Sequence, residues 1–116
     1  MNERSFFRIA KALSDPSRFK VLQKISGQDE ISCGDIADFF PISQATVSHH
    51  LKVLTEANLI DVRREGQHGY FNARQDVLSA YCREVEKRLR VISAIWGIFL
   101  IIYIDNCIYV NVSLKR

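Results

Sequence analysis

Apolar residues recur at helical spacing along the first part of the chain, and the breaks between runs fall at residues that stop or restart a helix. Phe6, Ile9, Ala10 and Leu13 give a first stripe over residues 5–13. Asp15-Pro16 restarts the chain: the Asp side chain can accept a backbone N–H as N-cap, and Pro in the first turn has no N–H to leave unpaired. The next helix is expected to run to about Ser26 and to bury Phe19, Val21, Leu22 and Ile25, with Gly27 as its stop. Ser32 caps a short helix over 33–40, with Asp35 in the first turn favouring the dipole and Ile36, Ala37 and Phe40 facing inward. Pro41 ends that helix, because it lacks an N–H and clashes with the preceding turn.

Ser43 then caps a helix over roughly 44–57. At 100° per residue, Val47, Leu51 and Leu54 fall on one stripe, while Ala45, Ser48, His49 and Lys52 land opposite. Gln44 and Thr46 sit on the flanks at the exposed N-terminal end. Two helices joined by a short turn, the second with a polar outer face, form a helix-turn-helix. After Asn58 the pattern changes: Leu59–Arg64 has strand character, Glu65–Gly69 is a turn, and Tyr70–Ala73 returns as a second strand. A long helix follows from Gln75, with Val77, Leu78, Tyr81, Val85 and Leu89 along it. The predicted fold is mainly α with a small β-hairpin wing, a winged helix-turn-helix domain over residues 1–90.

The small, polar outer face of the 44–57 helix suits the floor of a DNA major groove, where base edges present donors and acceptors. Gln44, Ser48 and His49 can donate or accept at base edges, and Lys52 can reach phosphate. Ala45 and the Thr46 methyl can meet a thymine methyl. The competing reading is an ordinary solvated helix face; the adjoining turn and hairpin favour DNA. His50 lies nearer the buried stripe and reads as a packing or phosphate-contacting residue. Arg63, Arg64, Gln67 and His68, near the hairpin tip, suit a grip on the backbone or the minor groove. A charged hairpin also keeps an edge strand from pairing, and the two roles are compatible.

Composition narrows the class. At 116 residues the chain is one domain, small enough that dimerisation would help it. With 47% hydrophobic and 25% charged residues it is a folding sequence, not a disordered one. The net charge of +3 is compatible with nucleic acid without establishing it. No Ser-His-Asp order, metal-hydrolase spacing or glycine-rich phosphate loop is present, so an enzyme is not expected. Cys33, Cys82 and Cys107 are odd in number and far apart, which makes no disulfide framework and points to the reducing cytoplasm. The charged N-terminal segment shows no signal peptide, in keeping with a cytoplasmic location.

Three segments in this order, Ala10-Lys11-Ala12-Leu13-Ser14-Asp15-Pro16-Ser17-Arg18, Ser43-Gln44-Ala45-Thr46-Val47-Ser48-His49-His50-Leu51-Lys52-Val53-Leu54 and Arg63-Arg64-Glu65-Gly66, resemble the ArsR/SmtB family. The resemblance covers roughly residues 5–88. It implies a repressor that binds double-stranded DNA as a homodimer, on an inverted-repeat operator, and lets go when an effector such as a small inducer binds. In that family the first and last helices make the dimer interface, which suits the stripes at 6–13 and 77–89. The family also carries metal sites, and here the sequence departs from it. One site uses a Cys-X-Cys pair before the recognition helix; the matching Glu30-Ile31-Ser32-Cys33-Gly34-Asp35 holds one cysteine. Another uses Asp and His along the last helix, and residues 75–104 contain no His. A soft-metal site wants three or four N or S ligands, so neither metal nor other cofactor is expected. Cys33 and Cys82 are left as a candidate thiol-sensing pair, against the favoured reading of small buried apolar residues.

The end of the chain differs from the rest. All charged residues but Asp105, Lys115 and Arg116 lie in residues 1–90, and 91–104 carry no charge at all. That run is shorter than the ~20 apolar residues of a membrane-spanning helix. The favoured reading of 91–116 is an apolar tail that extends the dimer helix. The alternatives are a membrane contact, making this a small membrane-associated protein, or a non-family end such as a frame change would produce. A constitutive DNA-binding dimer without effector is a further alternative to the released repressor.

Overall fold

The structure, a computed structural model, describes residues 1–91; the expectations attached to residues 92–116, and Cys107, lie outside the described residues. In chain order the elements are α1 (Glu3–Leu13), α2 (Pro16–Ser26), β1 (Ile31–Ser32), α3 (Cys33–Phe39), α4 (Gln44–Glu56), β2 (Ile60–Glu65), β3 (His68–Ala73) and α5 (Gln75–Leu89). The chain divides into two compact units, Met1–Tyr81 and Cys82 onward. The first contains the whole winged helix-turn-helix.

Four helices start on side-chain caps, and α1 does so on Asn2, which accepts from Ser5 N. Asp15 accepts from Arg18 N, Ser32 from Asp35 N and Ser43 from Thr46 N, each satisfying an N–H with no partner inside its helix. The core lies between them: Ile9 and Ala12 of α1, Val21, Leu22 and Ile25 of α2, Ile36 of α3, and Val47, Leu51 and Leu54 of α4 are all buried. Val77, Leu78 and Tyr81 of α5 pack on this cluster, and Tyr81 meets Phe6 with ring centroids 5.2 Å apart.

One expected core residue is not in the core. Phe19 is 42% exposed, and Arg18, only 8% exposed, takes the inward place on α2. Arg18, Val21, Leu22 and Ile25 share a stripe at spacings of three and four, and Phe19 falls on its flank. The buried guanidinium is hydrogen-bonded: Nε donates to Ala12 O at 2.7 Å and Nη2 to Lys11 O at 3.0 Å. These are carbonyls at the C-terminal end of α1, at the negative end of the dipole; Lys11 O also accepts from the Ser14 N–H and hydroxyl of the C-cap, whereas Ala12 O takes its bond from Arg18.

The junction from α4 to the wing is a Schellman motif. Asn58 takes φ +61°, Leu59 N donates to Leu54 O at 3.0 Å, and Asn58 N to Thr55 O at 3.0 Å. Asn tolerates this left-handed conformation better than most residues. Leu59 is then fully buried and β2 leaves α4 at a fixed angle.

The sheet has three strands rather than the two expected. β3 is central, antiparallel to both β1 and β2, with Ile31 opposite Phe71 and Val62 opposite Phe71 from the other side. The turn is also shorter than expected, since Glu65 pairs with His68 and only Gly66 and Gln67 lie between. Gly66 has φ +61°, as the first position of a type II′ turn requires.

Candidate nucleic-acid interface

Val47, Leu51 and Leu54 fix the rotation of α4 by facing the core, which turns Gln44, Ala45, Thr46, Ser48, His49 and Lys52 outward; all six are exposed. The Thr46 hydroxyl is held at 2.8 Å by Ser43 Oγ within the cap, so its methyl is the part left to meet a ligand. The ridge thus carries amide, hydroxyl, imidazole and ammonium groups along one helix face.

His50 is 6% exposed and faces inward, toward the junction that holds Asp15 and Arg18. Its Nδ1 is buried without a hydrogen-bond partner. Burial pushes the imidazole below its ordinary pKa of 6.5, and Arg18 and His49 push the same way, while Asp15 acts against them. This His is neutral packing inside the domain.

The wing separates its four candidate residues by strand alternation. Val62, Arg64, Gly69 and Phe71 point one way and, with Gln67, line a groove of about 520 Å³ against Ser48 and Lys52 of α4 and Cys33 of α3. Arg63 points the other way, with its cross-strand partner Tyr70 and with the Glu65–His68 pair. Its guanidinium is engaged by Glu30 and Glu65 and sits 4.8 Å from the Tyr70 ring centroid. So Arg64 and Gln67 join the outward ridge of α4, and Arg63 and His68 are on the far face of the hairpin. Arg74, at the base, is bound by Asp76 and Asp61.

Cys33 is half-buried in the groove, its Sγ 3.8 Å from Ser48 Oγ, and Cys82 is exposed in the second unit. Neither is the fully buried small residue favoured from sequence. Among the described residues, no group of three or more His, Cys, Asp or Glu side chains stands together as a metal site. Among the described residues also, no helix is long and apolar enough to cross a membrane.

Two cations were not anticipated at this site. Arg8 and Lys11 of α1 line a second groove with His49, Val53 and Glu56 of α4. Their spacing of three on α1 was visible in the sequence, but the nearness of α1 to His49 is tertiary.

This geometry defines a winged helix-turn-helix, and comparison with known proteins agrees. Residues 13–63 match the family described as Helix-turn-helix domain. The transcriptional repressor SdpR of Bacillus subtilis is 43% identical over 70 residues, 60% of this chain and 77% of that protein. An arsenical resistance operon repressor from Staphylococcus xylosus is 33% identical over 78 residues, 67% of this chain and 74% of that protein. Among solved structures, a homodimeric winged helix-turn-helix DNA-binding domain from Mycobacterium bovis, a possible ArsR-family regulator, superposes with TM-score 0.61 at 26% identity. It covers 67% of this chain and 72% of its own. The chain belongs to the ArsR/SmtB family of winged helix-turn-helix transcriptional regulators.

Proposed function

We propose that this protein is a transcriptional repressor that binds an inverted-repeat operator as a homodimer. The observation that carries the reading is the outward ridge of α4, polar and uncovered, bordered by a groove whose other wall is Arg64 and Gln67 of the wing. Gln44, Ala45, Thr46, Ser48 and His49 read base edges, and Lys52, Arg64 and Gln67 contact the sugar–phosphate backbone. Arg63 and His68 hold or flank the wing. Phe7 of α1 stands 58% exposed beside Phe6, an apolar surface that a second copy would cover. The relatives are repressors by name and one neighbour is a homodimer, which supports the same assignment.

The protein acts without catalysis, in the cytoplasm, and without a resident metal, since the ligand sets of the family are incomplete in its sequence. A thiol-directed signal would act at Cys33, which faces Ser48 across the groove. The membrane-anchored alternative draws no support from the relatives, whose names describe repressors.

The test is equilibrium binding of the full chain to duplexes selected from a random pool, with sedimentation of the complex. The proposal expects one preferred inverted repeat bound by two protomers. An unselective pool, or a single protomer on the preferred duplex, contradicts it.

A further inference from the structure

The reading helix has two sides, and the wing serves only one of them. On the other side Arg8 and Lys11 of α1 stand over a groove of about 410 Å³ whose opposite wall is His49, Val53 and Glu56. His49 therefore belongs both to the outward ridge and to this second groove. Arg8 and Lys11 are exposed, three apart on one face of α1, and among the described residues no carboxylate pairs with either. Arg18 lines the same groove, but its guanidinium is occupied by the Lys11 and Ala12 carbonyls.

A major groove is about 12 Å wide and a helix with its side chains is roughly 10–12 Å across, so a helix lying in the groove meets a phosphate strand on each side. Two free cations flanking the helix opposite the wing match the charge of that second strand. Glu56, the last residue of α4, repels an anion from the C-terminal end of the groove and leaves the His49 end open to one.

Resting on the reading that α4 enters the major groove, we infer that Arg8 and Lys11 form a second phosphodiester-binding site, which grips the DNA strand opposite the one held by the wing. The interface then includes α1, the helix read from sequence only as part of the dimer surface. The two grips bracket the reading ridge and fix the lateral position of α4 in the groove, as phosphate contacts do for register.

The experiment compares full-length parent, the double variant R8Q/K11Q and a charge-matched control K20Q/K24Q on α2, whose lysines line neither groove. Affinity for the duplex selected by the parent is measured over a range of salt concentrations. Each lost phosphate contact lowers the slope of log K against log salt by about 0.9. The inference expects the R8Q/K11Q slope to fall by roughly twice that for each bound protomer, with the control slope parental. Selective binding with a parental slope in R8Q/K11Q, or an equal fall in the control, overturns the site while leaving the α4 reading intact. A parent that selects no duplex overturns the α4 reading, and this inference with it.

Discussion

Arg63 forks Glu30 across 33 residues of sequence: Nε donates to Oε1 and Nη2 to Oε2, both at 2.9 Å. Its remaining nitrogen, Nη1, donates to Glu65 Oε2 at 2.8 Å. The pair ties the wing to the residue just before β1, and the Arg63 hydrogen bond holds the Glu30 carboxyl below its ordinary range. A bidentate fork fixes direction as well as distance. Because alternate strand residues face opposite ways, anchoring Arg63 on one face aims Arg64 at the other.

Glu30→Gln is therefore expected to weaken DNA binding severalfold without changing its salt dependence, since it frees the wing and removes no phosphate contact. Arg64→Ala is expected to weaken binding to all sequences and to lower the salt slope by about 0.9 per protomer. Titrations of both variants over a salt series separate the two roles. Equal slopes in E30Q and R64A would contradict the division of labour.

Arg18→Leu keeps the volume near that of the buried stem but leaves the Ala12 carbonyl without its donor, while Lys11 O keeps those of Ser14. Orphaning a buried polar group costs about 1–3 kcal/mol. The loss should appear as a lower urea midpoint with an unchanged m-value. An unaltered midpoint would mean that the α1 end is satisfied some other way.

His50 links stability to pH. The unfolded chain binds this proton near the ordinary 6.5, whereas the folded chain, with the imidazole buried, binds it only at lower pH. Within that window unfolding takes up a proton, so stability is fully present above it and falls as pH is lowered through it. Asp15 and Glu30, whose carboxyl pKa values are lowered in the fold, add their losses only further down, below the ordinary 3.8 and 4.5. Urea unfolding from neutral pH down to about pH 5 should show this decline in the parent and a flatter profile in His50→Leu. Identical profiles would contradict it.

Cys33 predicts a chemical block. With Cys82 and Cys107 replaced by Ser, a maleimide on Cys33 fills the groove beside Ser48 and Arg64 and should strongly reduce DNA affinity. The additional C33S substitution should bind DNA normally and ignore the reagent. Full binding after stoichiometric labelling would show that the groove is not used.

Much of this was legible in the chain because it is local. Asp15, Ser32 and Ser43 announce helix starts, and each caps the N–H three residues on. The stripe of Val47, Leu51 and Leu54 alone turns Ser48, His49 and Lys52 outward. What was not legible depends on distant partners. Hydrophobicity selects Phe19 for the core, but carbonyls on another helix select Arg18. β1 is two residues long and has no alternation to read; only β3 makes it a strand. Alternation separates Arg63 from Arg64, yet nothing near Arg63 in sequence names Glu30. Arg8 and Lys11 look like the solvated side of α1 until the fold sets them beside His49.

The central claim is that the outward ridge of α4 reads sequence, and binding-site selection on parent and on His49→Ala tests it most directly. The parent should recover an inverted repeat with half-site centres one or more helical turns apart. His49→Ala should bind that repeat more weakly by about 1–3 kcal/mol and select with relaxed preference at one position in each half-site. Recovery of the same repeat, with equal stringency and affinity at every position, would place the reading surface elsewhere.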